Sequence, residues 1–276
     1  MNRWKPGKLF PLPHTEAMPT ATEGEGITLP DLLRAPHERG RITLLVLLLT
    51  LTAAWIDMLS YLFLGRVFAS FMTGNFLFIG VGVVQGNSGL VIRALVALLV
   101  FLVGVIFGSF CLERAPQQQT GTAWHNMFAR YLLMEWLLLL VYAIIWRVTS
   151  NLSQQGGVQI LLLGVAALGM GIQGALVWTL KIPGVVADAL TATLITLGQR
   201  LAQGLDHPGP ESREWKWSSM FLALLCLIYV ASALVVALTS AFILTPVVPV
   251  IVVTIAIFAL LVPSRQAVTS LPTSSS

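Results

Sequence analysis

The sequence predicts an all-α fold, a polytopic transmembrane helical bundle of six to eight apolar segments with an internal repeat of broken helical hairpins. Three observations lead there. The 276 residues are 56% hydrophobic and 10% charged, with a mean hydropathy of +0.83; a soluble domain carries about 25% charged residues, so a chain this apolar needs lipid as its main solvent. Its apolar residues come in long blocks, near the roughly 20 residues that span a hydrocarbon layer as a helix. No block alternates with a period of two, which excludes a β-barrel.

Eight apolar segments are read, at 42–64, 67–84, 90–112, 128–147, 157–180, 184–201, 218–241 and 246–262. The breaks are helix-breaking or polar: Gly65-Arg66, Gln85 to Gly89, Arg114 to Asn126, Asn151 to Gly157, Lys181 to Gly184, and Gln203 to Lys216. Segments two and six are the shortest and most polar. Each follows its predecessor across a break too tight for an ordinary loop. They either span or re-enter, and re-entrant backbone is tolerated only when buried in protein or lining a wet cavity.

Residues 1–41 are polar and rich in Pro and Thr, and no apolar run precedes Ile42. They read as a disordered cytoplasmic tail, not a cleavable signal. Residues 42–262 form the transmembrane domain, in repeat units of about 42–147 and 157–262, and residues 263–276 a flexible tail. The formal net charge of +4 comes from basic residues at segment ends and in the N-terminal tail. There they orient helices and meet headgroups, so the expected partner is the lipid bilayer and not nucleic acid. With eight crossings, an N-in chain leaves Arg66, Arg114, Arg130 and Lys181 outside; with six, only Arg66, Arg93 and Arg147. Both keep the basic residues mainly inside, so the N-terminus is expected in the cytoplasm, with six or eight crossings left open.

The repeat rests on six identical pairs. Ile56, Leu64, Val67, Ala69, Thr73 and Gly80 align with Ile172, Leu180, Val185, Ala187, Thr191 and Gly198, given a two-residue gap at Lys181 to Gly184. In both copies an apolar helix reaches a break with a cation beside it, and a second helix with a central Thr leaves it. Interrupted helices in repeated units are a recurring plan in secondary transporters. The copies are parallel if all eight segments span and inverted if segments two and six re-enter. A duplicated helical unit that merely builds a stable bundle would look the same.

Polar residues inside apolar segments are the candidate substrate or ion pathway. Asp57, in segment one, costs about 2.5–3.5 kcal/mol on insertion scales and must find a partner or water. Arg66 and Lys181, at the two breaks, are the candidate partners. Asp188 follows the second break, where a helix start favours an anion. Glu135 in segment four is either a structural partner or a proton site. Thr73-Gly74-Asn75 interrupts segment two: the Asn needs hydrogen bonds and the Gly admits a close backbone or ligand, although such residues also glue helices together. Gln173 aligns with Asp57, and Thr191 with Thr73. Gly104 and Gly108, like Gly82 and Gly86, have the spacing of close helix packing.

Cys111 and Cys226 lie in apolar segments and read as packing residues. His14, His37, His125 and His207 fall outside those segments without ligand spacing, so neither a metal site nor a cofactor is expected. No phosphate loop, metalloprotease motif, nucleophile elbow or dinucleotide fingerprint occurs, and the loops hold no acid–base constellation, so the chain is not expected to be an enzyme.

Trp55-Ile56-Asp57-Met58-Leu59-Ser60-Tyr61-Leu62-Phe63-Leu64-Gly65, followed by Phe68 and Met72-Thr73-Gly74-Asn75, resembles the signature of the YoaK-like bacterial membrane proteins. The run Ala167 to Gln173, continuing to Pro183-Gly184-Val185 and Thr191, is similar to their second signature, over roughly residues 42–262 in all. It departs at Thr191-Ala192-Thr193, where the family has Thr-Gly-Thr, and at Gln173-Gly174, where it has Gln-Asn. The resemblance implies a bacterial inner-membrane protein and places Tyr61 beside Asp57 in one motif. It supplies no substrate. Two functions are therefore carried forward: a small-molecule or ion transporter, and a non-transporting membrane scaffold or assembly factor whose buried polar residues are structural. Homo-oligomer formation is compatible with either.

Overall fold

The computed structural model describes residues 36–113, 121–149, 156–180, 190–206, 212–239 and 245–261. Within them lie eight helices and no strand: α1 (Pro36–Phe63), α2 (Met72–Val84), α3 (Ser88–Glu113), α4 (Gly121–Val148), α5 (Gly156–Thr179), α6 (Leu190–Asp206), α7 (Ser212–Thr239) and α8 (Val248–Leu261), the last preceded by a 3-10 turn at Thr245–Val247. Stretches of α1, α3, α4, α5 and α7 are long and apolar enough to cross a membrane; α2 and α8 are shorter apolar helices. Leu99, Ile106, Leu227 and Leu238 are more than half exposed, as lipid-facing side chains are.

Several boundaries differ from those expected, among them the starts of α4 at Gly121 and α7 at Ser212, which fall inside stretches read as breaks. Helix α1 starts at Pro36, inside the stretch assigned to the disordered tail. Proline suits a first helical turn because its missing N–H would have no acceptor there. The apolar segment 67–84 becomes helical only at Met72. The segment expected at 184–201 is helical from Leu190 and runs on to Asp206, and its first residues lie outside those described.

Both turns flanking α2 end their helices in the same way. At the end of α1, Gly65 has φ +97° and the Arg66 N–H reaches back to the Tyr61 carbonyl at 3.2 Å. At the end of α2, Gly86 has φ +64°, the Gly86 N–H donates to Val83 O at 3.2 Å, and the Asn87 N–H donates to Gly82 O at 2.8 Å. These are left-handed helix stops that satisfy the last carbonyls, and glycine takes the positive φ without Cβ strain. Gly86 therefore serves a turn and not the close packing expected of it; a Cβ there would meet nothing within 4 Å. Gly82 does pack, with Val91 filling the place of its missing Cβ. Asn87 then starts α3, its Oδ1 accepting the Leu90 N–H at 3.0 Å.

Helix directions follow from pairs of contacts. Gln159 Nε2 donates to Phe63 O at 3.1 Å and Gln173 Nε2 donates to Leu49 O at 3.0 Å. Moving up α5 therefore moves down α1, and the two helices are antiparallel. Helix α3 crosses α5 where a Cβ on Gly104 would lie 3.1 Å from Gly171 Cα and one on Gly108 would lie 2.9 Å from Ala175 Cβ. The positions advance together, so α3 and α5 are parallel. The Gly104 and Gly108 spacing thus does what it predicts, with α5 as the partner. Arg93, near the start of α3, packs onto Gly65 at the end of α1. The Phe63 and Trp146 rings meet edge-on at 5.4 Å, which brings the end of α4 to the same place.

One end of the bundle therefore gathers the end of α1, the start of α3, the end of α4 and the start of α5. The chain leaves α1 and enters α3 at that one end, so the intervening segment does not cross: it re-enters. Closely packed pairs are α1 with α7 and α8, α5 with α3 and α4, α2 with α3, α6 with α7, and α4 with α8. Exchanging α1–α4 with α5–α8 leaves this set unchanged. Indole N–H groups tie the C-terminal part to α1 and α4, from Trp55 to Thr245 O at 2.9 Å and from Trp136 to Thr254 Oγ1 at 2.8 Å.

Candidate functional site

The re-entrant segment carries non-helical backbone, residues 65–71, into the apolar bundle. Each buried N–H or C=O there needs a partner, because lipid offers none. Two side chains supply partners for four of them. Asp57 Oδ1 accepts the N–H groups of Ala69 at 2.9 Å and Ser70 at 2.7 Å. Its Oδ2 accepts the Ser70 hydroxyl at 2.6 Å and the Tyr229 hydroxyl of α7 at 3.0 Å. Asn75 works from the other side. Its Oδ1 accepts the Phe68 N–H at 2.9 Å and its Nδ2 donates to the Phe68 carbonyl at 2.7 Å. A primary amide offers a donor and an acceptor side by side, so Asn75 pairs with Phe68 as a neighbouring strand would.

Asp57 is 2% exposed and Asn75 fully buried. Four donors fill the lone-pair sites of a carboxylate. The expected partnership with Arg66 is therefore corrected: Asp57 is held by backbone and hydroxyl donors. Arg66 is exposed with φ +64°, turned outward at the break. Aromatic rings surround the loop: Tyr61 stacks on Phe68 at 5.4 Å, and Phe68 stacks on Phe78 at 5.7 Å. A Cβ on Gly74 would lie 2.7 Å from the Phe71 ring and 2.9 Å from Phe68, so Gly74 admits these rings.

The structure thus brings Asp57, Tyr61, Gly74 and Asn75 together around residues 65–71. Thr73 is exposed on α2 and Thr191 is exposed on α6. Gln173 is buried, but its contact at Leu49 lies eight residues, about 12 Å of helix rise, from Asp57. Glu135 is 1% exposed within α4. Lys181 and Asp188 lie outside the described residues. Three contributors escaped the sequence reading: Ser70, Tyr229 and Arg93. Tyr229 carried a weak signal, as one of four tyrosines and the only one after residue 142. Ser70 and Arg93 carried none without the path of the chain.

These features define a class: a polytopic helical membrane protein with a polar-clamped re-entrant segment in its first half. Residues 45–261 match the family model described as "Protein of unknown function (DUF1275)", and the chain belongs to that family. It is 30% identical over 196 residues to the UPF0700 transmembrane protein YoaK of Bacillus subtilis (strain 168), covering 71% of this chain and 83% of that one. No solved structure matches it.

Proposed function

We propose that the protein transports a small molecule or ion along the re-entrant segment, between the two halves of the bundle. One observation carries this reading: non-helical backbone, residues 65–71, enters the apolar interior at one end, held by Asp57 and Asn75, and α2 returns the chain to that same end. Backbone of that kind is the usual material of transport sites, and oppositely directed halves are the usual frame. The exchange of α1–α4 with α5–α8 in the packing supports an inverted repeat. The chain sits in the bacterial cytoplasmic membrane with its N-terminus inside, a reading that rests on the basic N-terminal tail and puts Arg66, Arg93 and Arg147 on the outer side. No residue is assigned to catalysis.

A second reading is a membrane scaffold or assembly factor. It is favoured by Asp57 having its four donors within the protein. Proteoliposomes separate the two. Transport predicts that the wild type carries a flux for at least one member of a panel of ions and small organic solutes. It also predicts that Asp57→Asn abolishes this flux while still inserting. The scaffold reading predicts no flux from either and a lower unfolding temperature for the variant. Wild-type flux in Asp57→Asn removes Asp57 from the pathway.

A further inference from the structure

The end of the bundle where residues 65–71 enter is cationic. Arg66 and Arg93 are the only charged residues between 58 and 112, and Arg147 is the only one between 136 and 180. The topology brings all three to this end, through the close of α1, the start of α3 and the close of α4. These stretches contribute no carboxylate here. Arg93 is the best placed of the three. A Cβ on Gly65 would lie 2.7 Å from Arg93 Cδ and Cζ, so the side chain lies directly on the turn that begins the re-entrant loop. Its Nη atoms lie against Gly89, 3.5 and 3.6 Å from where a Cβ would be. Its Nε is buried and makes no hydrogen bond. Gly65 closes that donor off, so what this half-buried guanidinium leaves for a ligand is its two Nη atoms. The first turn of α3 lies beside it; its Ser88, Leu90 and Val91 N–H groups are met by Gly86 and Asn87, so what it adds is the positive end of the helix dipole.

We propose that this mouth binds an oxyanion, of phosphate, sulfate or carboxylate type, on the Arg93 guanidinium, with Arg66 and Arg147 contributing attraction. A planar fork of N–H donors matches two oxygens of such a group. The inference deepens the transport reading by naming the substrate class. It rests on that reading only for the step from binding to passage, and the binding is measured without flux.

The test uses the full chain in nanodiscs of uncharged phosphatidylcholine. Unfolding temperature is followed against sodium phosphate, with sodium chloride at matched ionic strength as reference. The expected result is an upward shift with phosphate, with apparent affinity weakened by about tenfold in Arg93→Gln. Arg93→Lys keeps the charge and most of the packed stem but not the fork. Its weakened response carries the test should Arg93→Gln fail to fold. A parallel series in phosphatidylglycerol nanodiscs separates the sources: stabilisation there alone, lost in the variants, identifies a lipid headgroup, and stabilisation by free phosphate identifies a soluble anion. Equal responses in wild type and both variants, or no response to either source, overturn the proposal. A phosphate response without any solute-dependent flux retires the transport reading and leaves the site. A flux without a response to either anion source retires the site alone.

Discussion

Asp57 and Ser70 are joined by two hydrogen bonds, one to each carboxylate oxygen: the Ser70 N–H at 2.7 Å on Oδ1 and the Ser70 hydroxyl at 2.6 Å on Oδ2. The pair fixes how far the chain returns into the bundle after α1 ends. Asp57→Asn retains one oxygen for the two N–H donors, and its amide faces hydroxyls of Ser70 and Tyr229 that can turn to accept. The expected cost is about 1–3 kcal/mol, the difference between charged and neutral acceptors. Asp57→Leu leaves several buried donors unmet and is expected to cost more, about 3 kcal/mol or above. Thermal unfolding in detergent ranks them; a Leu variant as stable as the Asn variant contradicts the anchor role.

Asn75 offers an independent handle on the same loop. Asn75→Leu removes both hydrogen bonds to Phe68 and is expected to cost about 2–4 kcal/mol. Asn75→Asp keeps the acceptor but sets a carboxylate oxygen where an N–H faced the Phe68 carbonyl. It is expected to be as damaging as Leu despite its polarity. Proteolysis or thiol labelling within residues 65–71 should rise in both variants; unchanged protection would show that the loop is held by its aromatic rings alone.

Much of this was legible in the chain, because bilayer solvation imposes a simple rule on residue type. The apolar segments correspond to the helices to within a few residues at most ends, and the cost of a buried Asp marked residue 57. Its partner differs from the one expected for a physical reason. Arg66 is nearest in sequence and opposite in charge, but a helix stop with positive φ at residues 65 and 66 turns it outward. What approaches Asp57 is the returning backbone and a tyrosine 172 residues away. Gly82 and Gly86 share one spacing and yet differ, the first packing against Val91 and the second closing a turn. Spacing alone does not distinguish those uses.

The α3–α5 crossing depends on the absence of side chains. A Cβ on Gly171 would lie 3.0 Å from Gly104 Cα and closer still to the Phe101 carbonyl. Gly171→Ala must push the helices apart and is expected to destabilise by about 1–3 kcal/mol. Gly164→Ala, on the same helix with nothing within 4 Å, should be neutral or gain up to about 1 kcal/mol from helix propensity. Unfolding in a denaturing detergent series measures both, and equal effects would mean the crossing is looser than these distances state.

The antiparallel course of α1 and α5 is open to cross-linking. In a background lacking Cys111 and Cys226, Phe63→Cys with Gln159→Cys should form an oxidative cross-link, because Gln159 bonds the Phe63 carbonyl. Phe63→Cys with Gln173→Cys should not, since Gln173 sits at Leu49, fourteen residues down α1. The reverse pattern would make the halves parallel.

Re-entry has its own signature in sidedness. Arg66 and Gln85 flank the segment and both are exposed, and Gly40 lies exposed near the other end of α1. A crossing segment would put positions 66 and 85 on opposite faces of the membrane. A re-entrant one puts them on the same face, with position 40 opposite. Single cysteines at these positions, treated in sealed vesicles with an impermeant thiol reagent, report the side directly. Labelling of 66 and 85 together, from the face where 40 is protected, is the expected outcome. Labelling of 66 and 85 from opposite faces would mean that α2 completes a crossing. It would also undo the argument that α3 starts where α1 ends, which rests on Arg93 packing over Gly65 and on the parallel run of α3 with α5.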